Sequence, residues 1–271
     1  MRSILLLAAL LLGLTACQAA PVDETDWRLP STDGAVDYQL GGASEPPQGV
    51  TIVVRDSTAL PAAGRYSICY INGFQTQPAE RGLWLEEHPD AVLTGDGGVP
   101  VVDPGWPDEL VLDTRTEAAR AEIAGVLAAS IDRCAEVGFD AVELDNLDTW
   151  TRFDALTVEG NLALAALLVE HAHVAGLAVA QKNAPELAER GPAVGFDLAI
   201  SEECAAWAEC GAYAEQYGEL HIDIEYEGAL PEGTTFQELC ERPESPHLMV
   251  LRDLQLVAPT EPGYVFERCA G

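Results

Sequence analysis

Short apolar runs alternate with longer stretches of helical periodicity through most of the chain. The runs Thr51–Asp56, Tyr66–Asn72, Leu110–Asp113, Phe139–Asn146, Leu177–Asn183, Phe196–Glu203, His221–Tyr226 and His247–Asp253 read as strands. Tyr38–Gly41 is a further candidate, so either it or the short Leu110 strand falls outside the sheet. Helices are expected over Thr116–Val137, Val158–Ala175, Pro185–Arg190 and Phe236–Arg242. In the first of these, Ile123, Val126, Leu127, Ile131 and Cys134 recur at near-helical spacing, and Gly138 follows as a stop. Gly176 closes the next helix in the same way. Helix, glycine, strand, repeated, is the rhythm of a parallel sheet. With 271 residues, the pattern predicts an α/β fold, a single-domain (β/α)8 TIM barrel, which takes ~250 residues. Residues 73–109 lack periodicity and are rich in Gly and Pro, which suits a loop that shapes a binding cleft.

The first residues break this rhythm. Arg2 precedes the apolar run Ile4–Leu14, which is too short to span a bilayer, and Leu14-Thr15-Ala16-Cys17 resembles a bacterial lipoprotein box. Residues 1–17 are therefore expected to be a lipoprotein signal, with Cys17 lipidated and the protein exported to the extracytoplasmic side of a bacterial membrane. Residues 18–35, polar and acidic, read as a flexible tether, and 36–271 as the barrel domain. Export bears on the six remaining cysteines, an even number that suggests disulfides. Cys204 and Cys210 are close enough to pair across a loop, Cys240 with Cys269 ties down the C-terminal end, and Cys69 with Cys134 remains. There is no Cys-x-x-Cys and the histidines are scattered, so neither a metal nor another cofactor is expected.

Charge narrows the partners. Forty-five acids face fourteen bases, a formal net charge of −31. Such a chain repels nucleic-acid phosphates and anionic lipid, leaving the lipid anchor as the expected membrane contact. It attracts cations, including a polymer that carries amines, although acidity also keeps an exported protein soluble. A monomer is expected.

Candidate chemistry lies where the strands end. The carboxyl ends carry Arg55 and Asp56; Tyr70 and Asn72; Asp113 and Arg115; Glu143, Asp145 and Asn146; Lys182 and Asn183; Glu202 and Glu203; Glu225 and Tyr226; Arg252 and Asp253. In a barrel these ends form one rim around the active-site face. Glu143 and Asp145 are two apart and point the same way in an extended strand. Convergent carboxylates with amides and aromatics are a lining suited to sugar. No Ser-His-Asp arrangement, phosphate-binding glycine loop or His-Glu-x-x-His stands out.

These segments carry a family resemblance. Ser67-Ile-Cys-Tyr-Ile, Trp106 with Leu112-Asp-Thr-Arg115, Gly138 to Asn146, Ala172-His173 with Gly176-Leu177, Lys182-Asn183, Glu202-Glu-Cys204 with Glu209-Cys210, and Glu225-Tyr226 are similar, in order and spacing, to glycoside hydrolase family 114. These are endo-α-1,4-polygalactosaminidase-like (β/α)8 barrels. The likeness covers roughly residues 35–230. It departs at Ser201, where the family often has Asn, and at Arg55, where the family usually has an aspartate.

The resemblance implies a glycosidase acting on an α-1,4-linked galactosamine polysaccharide, with Asp145 and Glu202 as the catalytic pair. By analogy with retaining barrel α-glycosidases, Asp145 is expected as nucleophile and Glu202 as acid/base. Asp56, Glu143 and Glu225 are expected to receive ammonium and hydroxyl groups, and Lys182 and Asn183 to orient a carboxylate or a hydroxyl. Tyr70, Trp106, Trp150 and Tyr226 are candidates for stacking on sugar faces, and Asp113, Arg115 and Asn146 complete the expected substrate rim. Two other readings are a barrel lipoprotein that binds sugar without cutting it, and a carbon–carbon lyase with a Schiff base on Lys182.

Overall fold

The computed structural model describes residues 27–269. The expected signal segment, Cys17 and residues 18–26 lie outside them. Nine strands form one sheet in sequence order: β1 Ala35–Gln39, β2 Val50–Asp56, β3 Tyr66–Asn72, β4 Ala141–Asp145, β5 Ala178–Lys182, β6 Leu198–Glu202, β7 His221–Tyr226, β8 Leu248–Arg252 and β9 Phe266–Arg268. Neighbours from β1 to β8 pair parallel, and β9 adds to β8 antiparallel. The Tyr38 run is thus a barrel strand. The Leu110 run is not: it makes single bridges to Gln75, Val92 and Val102 and belongs to the excursion between β3 and β4. Its alternation looks like a strand, but its partners are other loop residues.

Side chains alternate cleanly about the sheet. Val36, Tyr38, Ile52, Val54, Ile68, Ala141, Ala178, Ala180, Leu198, Ile200, Ile222, Ile224, Leu248 and Val250 fill the barrel. Their neighbours one residue along, including Cys69, Ile71, Val142, Leu144, Val179 and Ala199, face the helices. Short interior alanines on β4 and β5 sit beside isoleucine and leucine on β6 and β7, which lets the layers interdigitate.

The helices are α1 Arg81–Glu87, α2 Glu117–Val137, α3 Val158–Val174, α4 Gly191–Val194, α5 Cys204–Trp207, α6 Cys210–Tyr217 and α7 Phe236–Cys240. The two long ones begin at threonine caps: Thr116 accepts from the Ala119 N–H and Thr157 from the Gly160 N–H. Gly138 ends α2 at φ 96°, the left-handed conformation glycine adopts freely. No helix is described between β1 and β2 or between β2 and β3, so the barrel departs from eight-fold regularity on that side. The helix expected over Pro185–Arg190 is only a 3-10 turn, Pro185–Leu187, and α1, α4, α5 and α6 are helices that the hydrophobic pattern did not reveal. Each is short, and α5 and α6 are joined by a disulfide.

That bond, Cys204–Cys210, is one of three, with Cys69–Cys134 and Cys240–Cys269. Cys69–Cys134 fastens the outer face of β3 to α2 across 65 residues, a loop for which the chain-entropy view gives about 4 kcal/mol. Three disulfides place the folded domain in an oxidising, extracytoplasmic compartment. The start of the described chain is laid against the barrel: Trp27 stacks on His173 with ring centres 3.7 Å apart and donates to Asp197 at 3.0 Å.

The barrel is nearly closed, and a side chain spans its seam. β8 and β1 share no strand pairing; instead the buried Arg252 at the end of β8 donates to the Tyr38 carbonyl and to Asp37 Oδ1 on β1. Its other nitrogens reach the Val265 and Val257 carbonyls. Replacing it strands a buried carboxylate and several carbonyls, and breaking a buried pair costs roughly 3–5 kcal/mol. Arg252→Met is therefore expected to lower the urea unfolding free energy by about 3 kcal/mol or more; a loss within about 0.5 kcal/mol would show that the seam does not need it.

Candidate active site

The interior phase of the strands determines what reaches the carboxyl-end mouth. There the chain encloses a cavity of about 600 Å³. Asp56, Tyr70, Asp145, Lys182, Glu202 and Tyr226 enter it from β2 to β7, with Tyr38 of β1 beside them. Strands β4, β5 and β6 leave the barrel through left-handed residues: Asn146 at φ 63°, Asn183 at 50° with Ala184 at 61°, and Glu203 at 60°. Asparagine tolerates this region, whereas alanine and glutamate are strained there by about 1–2 kcal/mol each. The sharp exits hold the last interior side chains at the edge of the sheet.

Lys182 is the hub. Its side chain is only 1% exposed, and Nζ lies 2.8 Å from Glu143 Oε1, 3.3 Å from Asp145 Oδ1, 3.4 Å from Glu202 Oε2 and 3.0 Å from the Tyr38 hydroxyl. Burial alone would push its pKa down, but Asp145, Glu143 and Glu202 together outweigh burial and hold it well above the usual lysine value. An ammonium has no lone pair with which to attack a carbonyl, so the three acids around Lys182 oppose the Schiff-base reading.

Asp145 accepts from the Tyr70 hydroxyl at 2.6 Å. Burial pushes its pKa up, yet Lys182, the Tyr70 hydroxyl and the Asn146 backbone N–H prevail and hold it below the ordinary aspartate value. Glu202 is clamped differently. Asn183 donates to Oε2 at 3.0 Å while its own oxygen accepts the Glu202 N–H at 2.8 Å, and the Tyr226 hydroxyl donates a short hydrogen bond to Oε1. Lys182 thus touches both carboxylates, and two neutral donors, Asn183 and Tyr226, orient Glu202 in addition.

Several expected site residues lie elsewhere. Glu143 points inward with Asp145 but sits one layer deeper, fully buried beneath Lys182. Two residues along a strand is about 6.7 Å, which takes it off the cavity wall. Burial first, with Asp145 adding, pushes its pKa up to about 7 against the pull of Lys182, and its Oε2 has no hydrogen-bond partner. It supports Lys182 and does not meet a sugar. Glu225 is also displaced, because β7 turns Tyr226 inward and therefore Glu225 outward. It accepts the Ala205 and Ala206 N–H groups at 2.8 and 3.1 Å, at the start of α5. Asp113 and Arg115 pair with each other, Nη2 to Oδ2 2.6 Å, outside the cavity. Trp150 packs beside Leu93, Val111 and Leu156 under the excursion, whereas Trp106 stands 57% exposed at the cavity edge. Tyr70 and Tyr226 line the cavity, and their hydroxyls are spent on the two carboxylates. Asp56 and Asn146 line it as well. Asp56 is held by Thr58 and Gln77, and Asn146 donates to Asn72 Oδ1 at 3.0 Å.

The sequence pattern also missed residues. Asp103, Glu109, Asp148 and Arg152 line the cavity from loops. Arg152 is paired to Asp148 at 2.7 Å and to Asp103 at 3.3 Å. Only the four-residue spacing of Asp148 and Arg152 hinted at this; nothing local marked Glu109. Behind β6 and β7, Ser201 Oγ touches His221 Nε2 at 2.7 Å and Asp223 Oδ1 at 2.6 Å. This is no catalytic triad: the group is buried on the outer face, and burial pushes the His221 pKa down to about 3. Cys204, His221 and Asp223 also cluster at ligand spacing, but the Cys204 sulfur is bonded to Cys210.

Among solved structures, the chain is similar to Aspergillus fumigatus Ega3 in complex with galactosamine, at TM-score 0.67 and 18% identity over 89% of this chain and 97% of that one. It is also similar to the glycoside hydrolase domain of PelA from Pseudomonas aeruginosa, at TM-score 0.56 and 15% identity over 85% of this chain and 97% of that one. At these identities the likeness establishes a shared fold. No curated protein matches the chain significantly in sequence. Residues 16–271 match the glycoside-hydrolase family GH114, and the chain belongs to that family.

Proposed function

We propose that this glycoside hydrolase cleaves α-1,4-linked galactosamine-containing polysaccharide with retention of configuration, Asp145 acting as nucleophile and Glu202 as acid/base. One observation carries the reading: a single ammonium touches both carboxylates. Contacts of 3.3 and 3.4 Å to one nitrogen keep those two oxygens less than about 7 Å apart. That bound excludes most of the separation that inversion requires. Retaining enzymes need about 5–5.5 Å, and inverting ones about 6.5–9.5 Å to admit a water.

In the first step an Asp145 oxygen forms a bond to the anomeric carbon as the glycosidic C–O bond breaks, and the Glu202 proton passes to the departing oxygen. The glycosyl ester has no charge on Asp145. Glu202, now a carboxylate, takes a proton from water as that water attacks the anomeric carbon, and Asp145 leaves as the carboxylate. Lys182 and Tyr70 stabilise the anion at both ends of this cycle. Galactosamine in the complex of the similar Ega3 barrel, and a cavity wall with more carboxylates than cations, support an amino sugar as substrate. Export through the lipoprotein box, with Cys17 lipidated, would hold the enzyme at the membrane surface within reach of extracellular polymer.

Asp145→Asn and Glu202→Gln are expected to lower kcat on partly deacetylated galactosaminogalactan by about a thousandfold or more while leaving thermal unfolding cooperative. Retention of full activity by either would remove it from the pair. Lys182 sets the acid limb of the pH profile, since Asp145 must be ionised to attack and the lysine holds its pKa down. In Lys182→Met the kcat/KM limb should move to higher pH; an unmoved limb would show that Lys182 does not control the nucleophile. Cys17→Ser should shift the protein from membrane to soluble fractions, and continued membrane retention would contradict lipidation there.

A further inference from the structure

The cations of the cavity are already committed. Lys182 serves three carboxylates, and Arg152 serves Asp148 and Asp103. Among the described residues, Glu109 has no ion pair, although it lines the same wall. Its Oε2 accepts from Asn72 Nδ2 at 2.8 Å. Asn72 is fixed in turn, its Oδ1 accepting from Asn146 Nδ2 at 3.0 Å and from the Gln75 N–H at 3.1 Å. Asn72 also pairs with Asp145 across β3 and β4. A chain of two amides therefore fixes a half-buried carboxylate that has no ion pair, on the wall that carries Asp145.

We propose that Glu109 is the residue that selects a free amine, taking the ammonium of the sugar unit held against Asp145. This rests on the reading of the enzyme as an aminoglycan hydrolase and assigns its selectivity to one side chain. The amine of a 2-amino sugar is on the carbon next to the one that Asp145 attacks, so it is carried to the wall nearest that residue. An ammonium there would gain a charge-assisted hydrogen bond and relieve repulsion between Glu109 and Asp145. An acetamido group would gain neither and would leave a half-buried carboxylate without its cation.

The surroundings give the device a pH signature. Burial is the main reason that the Glu109 pKa is pushed up to about 7 in the empty cavity; Asp145 and Asp103 add to it, while Asn72 and Arg152 oppose it. Only the ionised carboxylate pairs with ammonium, so preference for the free amine rises as pH increases through about 7. It falls again once the sugar amine itself loses its proton.

Glu109→Gln isolates the charge, because the glutamine carbonyl can still accept from Asn72. The test measures kcat/KM for α-1,4-galactosamine oligomers and for their N-acetylated counterparts, with wild type and variant, from pH 5.5 to 8. The ratio of the two should fall about tenfold in the variant, the loss expected for one partly exposed charge-assisted contact. The rise of that ratio through about pH 7 should disappear. An equal fall on both oligomers, or an unchanged ratio with its pH dependence intact, would overturn the assignment. Oligomer affinity is measured in parallel by calorimetry on Glu202→Gln with and without Glu109→Gln. If wild type cuts neither oligomer, the hydrolytic reading fails. Glu109 is then judged by binding alone: weaker binding of the free amine relative to its acetylated form supports it, and no change in relative affinity rejects it.

Discussion

One buried ammonium organises the working end of this barrel. Lys182 stands on β5, between the strands that carry Asp145 and Glu202, and its nitrogen meets acids from both neighbours and from the layer below. Without it, three carboxylates would share a small, poorly solvated volume, and the like charges would force protons onto them or drive them apart. With it, the Asp145 pKa is held down and Glu202 is kept beside the same nitrogen. The lysine is in turn held by Glu143, which is fully buried, and by Tyr38. Lys182 thus links the interior of the barrel to its chemistry.

That arrangement depends on strand phase. Alternation through β4, β5 and β6 places Asp145, Lys182 and Glu202 on the inner surface at the ends of adjacent strands, and left-handed exits stop the chain there. The same alternation puts Ser201, Asp223 and Glu225 on the outer face, where Asp223, held by Ser201, and Glu225 accept the first N–H groups of α5 just after Glu202. Polar residues behind the wall therefore brace the loop leaving Glu202, and the Cys204–Cys210 bond fastens it.

Much of this was legible in the residues. The barrel followed from the repeated helix, glycine and strand, and the pairing of Asp145 with Glu202 came from family likeness joined to strand position. The misreadings have physical causes. Glu225 was grouped with Tyr226 by nearness in sequence, although alternation allows only one of two neighbours to face inward. Glu143 shares the direction of Asp145, but direction along a strand does not give depth. Asp113 and Arg115 were placed at a strand end that is a loop whose partners are other loop residues. Glu109 is invisible in the sequence because its position depends on a long aperiodic excursion folding back over the mouth, and Arg152, between β4 and α3, shows only its four-residue spacing from Asp148.

The central claim is that Asp145 attacks the sugar while Glu202, held by the same lysine, protonates the leaving group. The anomeric configuration of the first product reports on this directly. Proton NMR during cleavage of an α-1,4-galactosamine oligomer should show the α-anomer first, with the β-anomer appearing only at the rate of mutarotation. Initial release of the β-anomer would contradict the account, because it would mean that water, and not Asp145, attacks the anomeric carbon.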